Sequence, residues 1–231
     1  MLILNENNKE IDTFDARETM YSTFSTTFYG DGDNFISKRD LGYGTVYGYS
    51  MGKCEINLGN EWNSIKNDSY FSFPVYNEDI KITHDDTVFL VFRLGFIGQE
   101  VIGRLGIFDV NADKNGHLSY IDGCSDSLLV YPPRKGDPTL NYLYFPEGIT
   151  QSPHTHPSIR VGIVIDGEGM AILKNETLPL VKGTSFLLNS HELHSFNTDE
   201  DKTMSIIAYH PDGDWGPTDE NHTMLNRTYI K

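Results

Sequence analysis

The sequence predicts an all-β protein of 231 residues made of two similar halves. Three observations lead there. Apolar residues recur in short runs, many alternating with polar ones, and Gly, Asn, Asp or Pro separates the runs. No long amphipathic helical pattern interrupts them. Sliding the chain against itself by 116 residues, so that residue 65 meets residue 181, lays IKNDSYFSF on VKGTSFLLN and TVFL (87–90) on TMSI (203–206) without a gap. Lys66/Lys182, Ser69/Ser185, Asp85/Asp201 and Thr87/Thr203 are then identical.

Taken in order, residues 1–40 are polar and weakly patterned, with edge strands expected near Met20–Tyr29. From Tyr43 the pattern sharpens into TVYGYS, CEINL, SYFSF, IKIT, TVFLVFRLGF and EVIGRLGIFDV. The join between halves falls in FDVNADKNGHLSYIDG, where Asn115-Gly116 is a strong hairpin signal. The same stretch mimics a calcium loop from Asn111 to Asp122, but no helical pattern flanks it, so a plain turn is the simpler reading. SLLVYPP, TLNYLYF, RVGIVID, MAILK, TSFLL and TMSIIAY follow, and the tail from His210 is expected to wrap the outside. The domains expected are 1–115 and 116–231. Tyr142 and Tyr144 share a face by alternation, and packing between the halves is their expected role.

Chemistry concentrates between Gly148 and Asn197. His154 and His156 sit at i, i+2 just before an alternating run, so a strand would place both rings on one face. His194 comes on a second apolar segment and can converge with them on one ion. Neutral imidazole suits Fe, Ni, Cu or Zn. Alternation continues the histidine face through Ser158 to Arg160, with Ile159, Val161, Ile163 and Ile165 on the other face. His117, His84, His210 and His222 lie in polar or turn-like contexts without comparable signal.

These residues resemble the two motifs of the cupin superfamily. The first motif is met by Gly148, five residues, His154-Thr155-His156, and Gly167, with Arg160 standing where the family has Glu. The second is met by Gly183 and His194, while Asn189 and His191 replace its Pro and second Gly, and Asn197 falls one residue short of its Asn. The resemblance implies two cupin-type (double-stranded β-helix, jelly-roll) barrels, a bicupin. Under the repeat, His154, His156 and His194 face Lys38, Asp40 and Glu78, so the N-terminal barrel is expected to be degenerate.

The resemblance further implies one divalent transition metal on His154, His156 and His194, with iron leading and Ni, Zn, Mn or Cu as alternatives. An arginine cannot ligate, so the site resembles the three-histidine sites of some cupin dioxygenases. Arg160 and His191 are the candidate catalytic residues: Arg160 to grip a carboxylate unless an acidic side chain neutralises it, His191 as a rim residue or extra polar group. Dioxygenase chemistry on a small anionic molecule leads. The alternatives are isomerase or lyase chemistry and a non-catalytic barrel sensing a sugar or organic acid.

A formal net charge of −15 argues against nucleic acid or an anionic membrane as partner. A small-molecule substrate is expected, and a homodimer is compatible with the sequence. Two cysteines are too few for a disulfide framework, and MLILNENNKEID lacks a basic leader region, so a cytoplasmic setting is expected. There is no helix-turn-helix pattern.

Overall fold

The computed structural model describes residues 2–4, 10–105, 118–214, 216 and 218. These contain nineteen strands and one four-residue α-helix. β1 (Leu2–Leu4) comes first. The first half continues with β2 (Ile11–Ala16), β3 (Thr23–Phe28), β4 (Gly32–Ile36), α1 (Lys38–Leu41), β5 (Tyr43–Ser50), β6 (Cys54–Leu58), β7 (Glu61–Ile65), β8 (Ser69–Tyr76), β9 (Ile80–His84), β10 (Val88–Leu94) and β11 (Val101–Arg104). The second half holds β12 (Leu118–Ser119), β13 (Ser125–Val130), β14 (Thr139–Phe145), β15 (Arg160–Leu173), β16 (Thr177–Val181), β17 (Ser185–Leu188), β18 (His194–Asn197) and β19 (Met204–His210).

Every strand pairing is antiparallel. The first half forms a six-stranded sheet in the order β11-β8-β5-β10-β3-β2 and a four-stranded sheet β4-β9-β6-β7. The second half repeats that order. Its main path is β1-β17-β15-β19-β14-β13-β12, and β16 and β18 flank the far end of the long β15.

The 116-residue step carries β10 onto β19 and β7 onto β16 end to end. It also carries the pair Gly48↔Leu90 onto Val164↔Ile206. The residues that define the repeat are therefore equivalent in register as well as in sequence.

Three apolar clusters fill the stack. One, including Phe28, Ile56, Phe71, Ile82, Leu90 and Phe92, lies between the two sheets of the first half. A second, including Leu143, Phe145, Val164, Phe186, Ile206 and Ala208, lies inside the second half. The third joins the halves face to face: Tyr47, Tyr49, Phe89 and Val91 from one side, Tyr142, Val161, Ile163 and Tyr209 from the other. Tyr47 and Tyr209 meet with ring centroids 5.2 Å apart, and Tyr144 packs against this cluster beside Tyr142, as the alternation implied.

Two expectations about elements need correction. Met20–Tyr29 does not hold an edge strand: β3 lies between β10 and β2 and is largely buried, its threonines and serine satisfying the parity that phenylalanine anchors. The edge is β2. The strands β4, β7 and β16 left little trace in the sequence: β4 and β7 are largely exposed and polar, and in β16 Pro179 interrupts a short, mostly exposed apolar run. Most of the proposed join and of the calcium-like loop (111–117) lies outside the described residues, as does most of the tail (215, 217 and 219–231). No helix among the described residues is long and apolar enough to cross a membrane.

Candidate metal centre

The segment 151–159 is not a continuous strand. Pro153 and Pro157 flank the histidine pair and remove backbone donors, leaving one isolated antiparallel bridge, His154↔His194. His154 N donates to His194 O at 2.9 Å and His194 N to His154 O at 3.0 Å. His191 N adds a bond to His156 O at 2.7 Å. Three short backbone links therefore set the triad in place of the strand expected from alternation.

The three rings converge: centroids lie 4.4 Å apart for His154–His194, 5.0 Å for His154–His156 and 5.1 Å for His156–His194. One ring nitrogen from each lies within 4.8 Å of the others. His154 Nδ1 sits 2.9 Å from Ser152 O, and His194 Nδ1 2.8 Å from Glu192 O. A carbonyl can only accept, so each neutral ring carries its proton on Nδ1 and presents a lone pair on Nε2. Both Nε2 atoms are buried without a partner. Burial, then the nearby Arg160 charge, pushes His156 down to about 3, and burial pushes His194 down to about 4. His156 and His194 are thus held in the neutral form a metal needs, and the Nδ1 carbonyl contacts of His154 and His194 are the kind of bond that fixes a ligand's tautomer. This donor set fits a transition metal.

The loop carrying His154 is itself tied down. Asp122 Oδ2 accepts from Ser152 N at 2.5 Å, which holds the Asp122 carboxyl below its usual range. Gly148, Gly167 and Gly183 have φ of +69°, +71° and +89°, in the left-handed region open to glycine. At Gly167 a Cβ would sit 2.0 Å from Thr203 O. His191 takes φ +58° at the fourth such position, without being glycine. Its side chain is exposed, and only its backbone reaches the triad.

From Arg160 onward the expected parity holds. Arg160 shares the inner face with Val164, opposite Val161 and Ile163. It is 8% exposed, and its charge is met by Asp212 Oδ1 at 3.2 Å. Arg160 Nη1 also bonds Ser158 Oγ and, at 2.9 Å, Ile159 O, while Nε has no partner. Asp212 further accepts from Ser158 Oγ and, at 3.0 Å, from Tyr21 of the first half. The described part of the tail thus reaches into the molecule at Asp212, where the sequence suggested only an outer wrap.

Sequence reasoning missed other polar residues on this inner face. His210 ends β19 on the same side as Ala208 and Ile206; burial, then the Arg160 and His156 charges, pushes it well below its ordinary value. Parity along TMSIIAYH was the signal. Asp126 and Asn141 bond each other, Asn141 Nδ2 to both carboxylate oxygens at 2.8 and 2.9 Å. Burial pushes the Asp126 carboxyl up to about 6, partly offset by Asn141. Tyr120 meets the His154 ring edge-on at 6.5 Å. In the first half, Lys38 and Asp40 lie on α1, and Glu78 lies in the turn after β8, accepting from Tyr76 N at 3.4 Å. They form no counterpart of the triad.

Residues 142–218 match the family model described as the AraC-like ligand binding domain. No curated protein matches the chain. Solved structures do. The chain is similar to a cupin 2 conserved barrel domain protein from Leptotrichia buccalis: 16% identity, TM-score 0.57, covering 90% of this chain and 92% of that one. It is also similar to the Escherichia coli protein Ylba: 17% identity, TM-score 0.60, 90% and 84% covered. A third is a salicylate 1,2-dioxygenase from Pseudaminobacter salicylatoxidans: 10% identity, TM-score 0.58, 82% and 70% covered. With the glycine turns and the histidine bridge already described, these likenesses place the chain among proteins of the cupin fold.

Proposed function

We propose that the second half is a cupin barrel that binds one divalent transition metal through His154, His156 and His194 and acts on a small organic molecule. The observation that carries this is the pair of buried, partnerless Nε2 atoms on histidines whose Nδ1 atoms are already bonded. A metal so held, iron first among the candidates, would supply Lewis-acid or redox chemistry. We propose domains of 1–115 and 116–231, the first a supporting barrel without ligands whose β1 joins the sheet of the second. A reducing cytoplasm is the proposed setting, consistent with Cys54 and Cys124 being free and buried.

Around the metal, the chain's own residues orient and exclude. Asp122 and Ser152 hold the His154 loop, and Arg160 holds Nε toward the interior with its charge balanced by Asp212. That balance removes the electrostatic need for an anionic ligand, and Arg160 is assigned the role of orienting a ligand oxygen. His191 stays at the rim, with no proton step assigned to it. Dioxygenase-type chemistry is the leading reading, supported by the three-histidine set and by the similarity in fold to the salicylate dioxygenase. A second reading, a non-catalytic small-molecule barrel, is supported by the AraC-like ligand binding match.

Metal analysis with oxygen-uptake measurement over a panel of small aromatic and aliphatic acids tests both. One metal per chain with substrate-dependent oxygen uptake supports the dioxygenase reading. One metal without uptake, but with ligand-induced thermal stabilisation, favours the binding barrel. Wild-type protein that takes up no metal would sink the assignment.

A further inference from the structure

The interior holds more unpaired polar atoms than the triad. On β14, Leu143 and Phe145 belong to the inner cluster, so Thr139 and Asn141, four and two residues before Leu143, share that face. Thr139 is 1% exposed and Asn141 3% exposed, yet Thr139 Oγ1 and Asn141 Oδ1 have no hydrogen-bond partner. Asp126 lies across from Leu143 in the strand register and therefore faces inward too. Thr139 is paired with His210, which adjoins Arg160 on the same face, and Arg160 Nε is also unpaired. Tyr120 connects this row to the triad: its ring touches His154 edge-on, and its hydroxyl feels the charges of Asp126 and Arg160.

A folded interior pairs nearly all of its buried polar groups, so a cluster that stays unpaired calls for a partner from outside the chain: a water, an ion or a ligand. We infer that Thr139, Asn141 and Asp126 form a subsite for the donor end, a hydroxyl or amino group, of the small molecule whose other end meets the histidine triad. The class follows from the atoms. Asn141 Oδ1 can only accept, and its amide nitrogen is spent on Asp126. The Asp126 oxygens accept as well, and only Thr139 Oγ1 can also donate. A ligand bearing carboxylate or ether oxygens alone would leave this row unsatisfied, whereas a hydroxylated or amino-bearing one satisfies it. The raised Asp126 carboxyl fits the same picture, since nothing cationic in the row neutralises it.

The inference rests on the metal reading only for the ligand's other end. The test titrates cobalt-loaded protein with probe pairs differing in hydroxylation: lactate against propionate, gentisate against salicylate, glucuronate against cyclohexanecarboxylate. Binding is read by the cobalt absorption spectrum and by calorimetry. For at least one pair, the hydroxylated probe is expected to bind at least about tenfold more tightly, because a site with buried acceptors rejects an analogue that lacks the donor. Asn141→Leu should cut that preference to within about twofold while cobalt stoichiometry and circular dichroism stay unchanged. Thr139→Val, nearly isosteric, provides a second variant should Asn141→Leu misfold. If no hydroxylated probe is preferred, or if the preference survives both variants, the subsite is wrong. If wild-type protein takes up no cobalt, the metal reading fails by itself, and the same preference is then sought by calorimetry alone.

Discussion

Each half of the molecule buries a histidine, His84 at 5% exposure and His194 at 2%, and their surroundings differ in one respect. His84 Nε2 is 2.8 Å from Asn34 Nδ2, and its Nδ1 lies 2.9 Å from Gly30 O and 2.8 Å from Asp86 O, so both nitrogens are occupied. His194 has only its Nδ1 occupied. The halves share one strand order and one register through β5–β10 and β15–β19, so the framework does not distinguish them. The difference lies in what fills the interior. The first half closes on an apolar cluster and a satisfied histidine. The second leaves polar atoms unpaired on both of its inner walls, an arrangement that costs stability unless a metal or ligand completes it.

The sharpest way to break this comparison is at the histidines. His156→Ala should take bound metal from about one per chain to nearly none in a folded protein, because one of three ligands is gone. His191→Ala and Glu78→Ala should leave metal content as it is. Elemental analysis with circular dichroism reads the result, and a full metal complement in His156→Ala would contradict the contrast between halves.

Next in size is the core of the first half. Phe71 and Leu90 are fully buried there, and truncating Phe71 to Ala should cost about 3–5 kcal/mol in denaturant unfolding. Metal binding should persist in the remaining folded protein, as expected of a supporting half. Loss of less than about 1 kcal/mol would mean that the first half contributes little to global stability.

Asp126→Asn should act in the opposite sense. Folding raises this carboxyl to about 6, above its value near 3.9 in an unfolded chain. The folded state therefore holds the proton more tightly, and stability falls as pH rises between about 3.9 and 6. At pH 7 the cost reaches about 3 kcal/mol at most, which Asn removes. The variant should melt higher than wild type at pH 7 and equally at pH 4. A lower melting temperature at pH 7 would show that the ionised group is paired.

The smallest effect belongs to His191. Its left-handed backbone disfavours a side chain, so His191→Gly should be neutral or stabilising by about 0.5 kcal/mol, with metal content unchanged. Destabilisation by more than about 1 kcal/mol would show that the ring packs against the site.

The triad was legible in the sequence because glycine spacing and the histidine pattern are local properties. Each motif glycine occupies a turn that only a positive φ can make, which is why the spacing survives where the strand does not. Arg160 was legible by parity, since β15 begins there and alternates without a break as far as Val164. The expected histidine strand was not, because Pro153 and Pro157 break it and an isolated bridge to His194 takes its place. Asp126, Asn141, His210 and Asp212 come from separate strands and the tail. Parity along TMSIIAYH marks His210 alone; the register of β13, β14, β19 and β15 brings Asp126, Asn141 and His210 to the face of Arg160, and Asp212 joins them by pairing with it.

β1 adds a different kind of tie between the halves. Leu2, Ile3 and Leu4 pair with Leu187, Phe186 and Ser185, so a strand that precedes the first half in the chain closes the sheet edge of the second. During synthesis that strand has no partner until β17 leaves the ribosome. Severing the chain at the join would not release two self-contained pieces, because the second would carry a bare strand edge at β17, open to pairing with another copy. The two halves are linked twice: once by the continuous chain and once by this strand.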